Sequence, residues 1–328
     1  MFMEKKNGLA YLISKIIITM AIIGALIVAI YVIYPNIKKN LLNHDAPAIS
    51  EESNPDSETD IGSDQSSVSN NSINEEDDHS STSNTTPSST PAPEELLNKL
   101  DKSYDPYLLE PSEIAKQIYM DHYEEFSDGS HIQTKRNPSV IEYFAHSLLE
   151  NPGSYATDPG YDPFPEYAMP YFSQWDQRWG YTEYAGADFG ISGCGPTVLT
   201  MVYTHLTGDI DMTPKSMGEF ATANGYAIDG NGSSWMLMSE GAEKLGLTVE
   251  TLILHKPVID EALLAGKPII LVVGPGHFTS QGHFVVIHDI DANGDYLIFD
   301  PFNIHNAFRT FSYAELEDQI RNIWAYSY

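Results

Sequence analysis

From Asp45 to Glu95 the chain carries repeated aspartates and glutamates and neither lysine nor arginine. The rest of that stretch is mostly Ser, Asn, Thr and Pro. Such a segment repels itself and has too little apolar surface to offset the entropy of ordering it. Any globular core therefore has to form after it. Residues 35–95 read as a disordered acidic linker, whose composition is that of a spacer. A flexible tether of about 50 residues has a mean reach of roughly 40 Å.

Of the formal charge of −29, 13 negative charges fall in this stretch, and the remaining acidity is spread mostly over the C-terminal half. Nothing supplies the counter-charge that phosphate needs, so nucleic acid is not an expected partner. A basic peptide or cationic surface is steered favourably, though weakly at physiological salt.

Ahead of the linker, residues 16–34 run Ile to Tyr without a charge. At about 1.5 Å per residue they span roughly 28 Å, close to the hydrocarbon thickness. Lys5, Lys6 and Lys15 precede the run, and Lys38 and Lys39 follow it. The bias slightly favours an inside N-terminus. We expect a cytoplasmic segment 1–15, a transmembrane signal anchor 16–34 and an extracellular remainder. A cleaved signal peptide is the alternative, but Ala46 and Ala48, the small-residue pair, lie far past the apolar run.

Order is expected to resume near Pro93. Leu96, Leu97 and Leu100 recur at helical spacing. Ser112 is placed to cap a helix through Ile118, and Pro138 to Leu149 reads as another. Residues 96–164 are read as a helical extension packed on a domain of residues 165–328.

Cys194 is the only cysteine. No intrachain disulfide can form, and a lone exported thiol is either buried and inert or reactive. Pro196 suits the first turn of a helix. Val198, Leu199, Val202 and Leu206 form one apolar stripe, which Gly208 ends. The thiol thus falls at a helix N-terminus, where free N–H groups and the dipole favour a thiolate. Gly193 and Gly195 permit tight backbone and are expected to leave room for a substrate main chain. The alternative is a small buried residue in a tight turn.

A thiolate nucleophile needs an imidazole as charge partner and proton donor. His283 follows a glycine-rich loop and opens a strand. His277, His288 and His305 read as structural or surface residues. A second strand, Tyr296 to Phe299, ends at Asp300-Pro301. A hairpin through Asp291 to Gly294 brings Asp300 towards His283, where a carboxylate fixes the imidazole tautomer. The alternative is that Asp-Pro only ends a strand. Asp289, Asp291, Asn293, Gly294 and Asp295 also fit the start of a calcium loop. The twelfth position is Asp300 rather than Glu and the flanks read as strands, so no metal is expected. Upstream, Gln174 and Gln177 are candidate donors to a tetrahedral oxyanion. Alternatively both sit on a surface loop anchored by Trp175 and Trp179.

Taken in order, Gln174 to Trp179, Gly193 to Thr197, Gly282-His283-Phe284 and Asp300-Pro301 resemble the papain-like cysteine peptidases of the bacteriocin-leader-processing type, the peptidase C39-like family. The resemblance is nearest to exported bacterial members without a transporter and covers about 165–328. Gly232 to Trp235 and Gly266 to Ile270 also read like that group. The resemblance implies Cys194 as nucleophile, His283 as general acid/base, Asp300 as its orienting carboxylate and Gln174 as the oxyanion donor. It departs at His277, where an acidic residue is expected, and at Phe302-Asn303, where relatives more often carry Asn-Ser.

The expected fold is α+β and papain-like. A helical lobe beginning at Cys194 packs on an antiparallel sheet of Thr248–Leu254, Pro268–Val273, His283–Asp289 and Tyr296–Phe299. Ser312 and Glu315 form a capping box, and Trp324 to Tyr328 adds an edge strand. No cofactor is expected, and the sequence carries no signal for an oligomeric state. The expected partner is a peptide substrate, hydrolysed through an acyl-enzyme. Two alternatives are a peptidoglycan amidase or endopeptidase, and a surface-displayed peptide-binding module without activity.

Overall fold

The computed structural model describes residues 93–328. The expected N-terminal segment 1–15, the anchor 16–34 and the linker up to residue 92 lie outside the described residues. Among the described residues, no helix is long and apolar enough to cross a membrane.

The extension supplies four helices: Pro93–Lys99 (α1), Glu113–Asp121 (α2), Asp128–Arg136 (α3) and Ile141–Ser147 (α4). Ser112 Oγ accepts from Ala115 N–H and so caps α2. The Glu142 carboxylate accepts from Ser112 N–H at 2.8 Å, which ties α4 to that cap. Leu96, Leu100, Ala115, Ile118 and Ala145 bury one another between α1, α2 and α4. The single helix expected over 138–149 is divided into a 3-10 turn, Pro138–Val140, and α4. The Asn137 side chain caps that turn through Ser139 N–H. A second cluster joins Tyr119, Val140, Tyr143 and Phe144 to Trp175 and Phe302, so the extension is seated directly on the segments that flank the site.

The main sheet has six strands: Thr248–Thr251 (β1), Ile269–Val273 (β2), His283–Ile290 (β3), Tyr296–Phe299 (β4), Thr310–Phe311 (β5) and Ile320–Ser327 (β6). Their order is β1-β6-β2-β3-β4-β5, all antiparallel. The last strand is therefore not an edge, contrary to the sequence expectation. It pairs with β1 on one side and β2 on the other. Its beginning is disguised because a register shift between Ile320 and Asn322 admits polar Arg321 and Asn322 into the strand.

Side chains alternate across a sheet. Ile270, Val272, Phe284 and Val286 face helix Cys194–Thr207 (α5), with its buried Val198, Leu199, Met201 and Val202. Ile269, Leu271, Val285 and Ile287 face helix Lys256–Leu264 (α6) through Ile259 and Leu263. Covering both faces explains why β2 and the first half of β3 read as unbroken apolar runs rather than alternating ones. The β3–β4 hairpin closes through Asp291 to Gly294, with Gly294 at φ +81°. The Asp291 carboxylate accepts from the N–H groups of Asn293 and Asp295. The capping box of Ser312 and Glu315 is formed.

Candidate active site

Helix α5 begins at Cys194. The first intrahelical bond runs from Thr197 N–H to Gly193 O, and Pro196 has no N–H. The N–H groups of Cys194 and Gly195 are thus the ones the helix itself leaves without an acceptor. The half-buried thiol sits beside this positive end. The flanking glycines serve packing, not substrate access as expected. A Cβ at Gly193 would run into the Phe189 ring, and one at Gly195 into the Ser233 side chain. The sequence around the thiol is small because its surroundings are already filled.

His283 opens β3 and is 8% exposed. Its Nε2–H donates to Asp300 Oδ1 at 2.7 Å. That orients the ring and leaves Nδ1 for the Cys194 side chain, which lies close enough to contribute to the ring's pKa. Burial alone pulls the imidazole pKa down. The Asp300 carboxylate, and to a lesser degree Cys194, outweigh it and raise the pKa to about 10. The imidazolium is therefore the resting form at neutral pH, the state that pairs with a thiolate.

Asp300 follows β4 and is 1% exposed. Its Oδ1 also accepts from Phe302 N–H (2.9 Å), and its Oδ2 from Asn306 Nδ2 (2.8 Å). The Asn306 Oδ1 then accepts from His277 Nε2–H at 2.9 Å. The chain His283–Asp300–Asn306–His277 is complete in donors and acceptors. Asn306 carries no signal in the sequence, and His277, expected to be structural or at the surface, has a structural role. An acidic side chain at 277, expected from the resemblance, would present an acceptor to an acceptor here.

The Gln174 to Trp179 stretch secures the Asp300 turn. Gln174 N–H donates to Pro301 O (2.8 Å), Trp175 Nε1–H to Phe302 O (2.9 Å) and Tyr171 OH to Asp300 O (2.8 Å). Asn137 of the extension also donates to Phe302 O. Phe302, the second departure from the resemblance, inserts its ring into the cluster shared with the extension. The Gln174 side chain lines the same cleft as Cys194 and His283. One Nε2 hydrogen donates to Gly190 O at 2.8 Å, and the amide has a second. Gln177 instead spends its Nε2 on Lys102 O and Pro152 O, away from the cleft. Asp176, 1% exposed, holds Arg178 at 2.6 Å.

The other histidines lie elsewhere. His288 stacks on Phe299 with ring centroids 4.0 Å apart, and burial, with a smaller push from His205, lowers its pKa to about 3. It is neutral at physiological pH. His305 Nε2 bonds to Leu109 O.

Gln174, Cys194 and His283 meet in a cleft of about 780 Å³. A buried imidazole held by a carboxylate, beside a thiol at a helix N-terminus, is an arrangement suited to nucleophilic attack on a carbonyl. The family model of the Peptidase C39-like family matches residues 167–327. The C-terminal half of the chain belongs to that family. Its α+β fold is the papain-like one, and at the level of the family this half is a cysteine peptidase domain. No curated protein matches the chain.

Proposed function

We propose that this chain hydrolyses peptide bonds with Cys194 as nucleophile, His283 as general acid/base and Asp300 as the carboxylate that orients it. The observation that carries the reading is the His283–Asp300 bond of 2.7 Å beside the thiol of a helix-initiating cysteine. In this reading the Cys194 thiolate attacks the scissile carbonyl and a C–S bond forms. The oxyanion is received by the Cys194 N–H and the second Nε2 hydrogen of Gln174. Collapse breaks the C–N bond, and the His283 imidazolium gives its proton to the leaving amine. Neutral His283 then takes a proton from water, whose oxygen attacks the thioester and releases acid and thiolate.

We further propose that residues 16–34 hold the domain at a membrane, with the cleft on the outer side and the acidic linker as tether. The apolar length of that run and the tether's composition support this.

A peptide bearing an electrophilic warhead tests the chemistry. Mass spectrometry is expected to find one adduct, on Cys194, formed by the native chain and not by the urea-unfolded one. Equal labelling of both would mean an ordinary thiol.

A further inference from the structure

Helix α3 has the polar sequence DGSHIQTKR, yet it forms a wall of the cleft. Gly129, Ile132, Gln133 and Arg136 line it, and their spacing of i, i+3, i+4 and i+7 puts them on one helical face. The other side is held to α2. His131 Nδ1 bonds to Tyr119 OH at 2.6 Å, its ring stacks on Tyr123 at 3.8 Å, and Thr134 approaches the same hydroxyl. The face towards the cleft is thus fixed by contacts on the opposite side.

Arg136 is pinned on that face. Its Nη1 donates to Gly276 O at 3.3 Å and His277 O at 3.2 Å, in the loop that leads to His283. Arg178 and Arg309 are paired with Asp176 and Glu315, whereas Arg136 has no ion pair among the described residues. A guanidinium carries five N–H donors in a planar fork, so Nε and Nη2 retain donors for a ligand. The chain has 46 aspartates and glutamates, but none is among the described residues that line the cleft. Its charged lining is Arg136 and His283.

We infer that Arg136 is a specificity-determining residue that receives the carboxylate of an acidic side chain close to the scissile bond of a peptide substrate. This rests on the peptidase reading above and names its substrate class. It also reverses the preference for basic peptides suggested by net charge. The linker and surface carboxylates act at long range and are screened beyond about 8–10 Å, whereas Arg136 acts at contact. The planar fork makes a lysine at 136 an incomplete substitute.

The test uses the full-length chain and a quenched-fluorescent peptide mixture varied on both sides of the cleaved bond. Every Glu or Asp peptide is matched by its Gln or Asn counterpart. The wild type is expected to prefer the acidic member at one position by about fivefold in kcat/KM, the scale of a partly solvated charge pair. Arg136→Gln brings that ratio close to one, and Arg136→Glu shifts the preference towards lysine at the same position. Lys135→Gln makes the same charge change next door, at an exposed residue outside the cleft, and keeps the ratio. Equal rates for every matched pair in the wild type overturn the inference without reference to any variant. So does an unchanged ratio in a folded Arg136→Gln chain. Peptide cleavage that persists in Cys194→Ala overturns the peptidase reading, and the inference with it.

Discussion

Replacing Cys194 with alanine is expected to lower peptide hydrolysis by at least about 10^4-fold, to the rate of a site that only binds. No other thiol exists in the chain to substitute for it. The loss is expected in kcat, because the thiolate acts on the reacting carbon and contributes little to holding the ground state. The fold is expected to survive, since the half-buried thiol is at the rim of the α5 core and alanine fits a helix start. Circular dichroism and single-turnover kinetics together check this. Hydrolysis retained at the wild-type rate would place the chemistry elsewhere.

The second large effect is expected at Asp300. In Asp300→Ala the buried His283 loses its counter-charge, and Asn306 Nδ2 loses its acceptor. Breaking a buried pair from one side costs about 3–5 kcal/mol. Catalysis is expected to fall by about a hundredfold or more, because neither tautomer nor ring orientation is then fixed. The pH dependence separates this from loss of packing alone. His283 has a folded pKa of about 10, above its ordinary value near 6.5. The stability it brings is fully present below about pH 6.5 and is lost as pH rises through about 10. Wild-type melting temperature is therefore expected to decline across that window. In Asp300→Ala, burial is left as the main influence on His283, and that particular decline is expected to vanish. Parallel melting curves across the window in both proteins would contradict the account.

The site was legible where its residues fall at boundaries that the sequence marks. Pro196 and Gly208 bracket the helix that Cys194 heads, and Gly294 marks the hairpin that aligns His283 with Asp300. The sheet was legible through β2, β3 and β4, whose apolar runs have one meaning at that length. Strand β6 was misplaced because pairing order is a long-range property and a bulge hid its start. Asn306 and His277 were invisible for a different reason. The bond from Asn306 to Asp300, and that from His277 to Asn306, arise when the turn at Ile304–Phe308 folds back on the glycine loop, and no period encodes that. The role of α3 was equally hidden. With a single large apolar residue, Ile132, and no buried stripe, its sequence does not say which face packs. Gly193 and Gly195 were noticed for flexibility, and their cause is steric.

The most direct measurement is the rate of Cys194 alkylation against pH in the full-length chain and in His283→Ala. The account predicts rapid alkylation well below pH 8 in the wild type and at least a tenfold slower rate there in the variant, because the imidazolium that stabilises the thiolate is gone. Slow alkylation below pH 8 in both proteins, with matching profiles, would show a structural thiol and contradict the claim that Cys194 and His283 form a reactive pair.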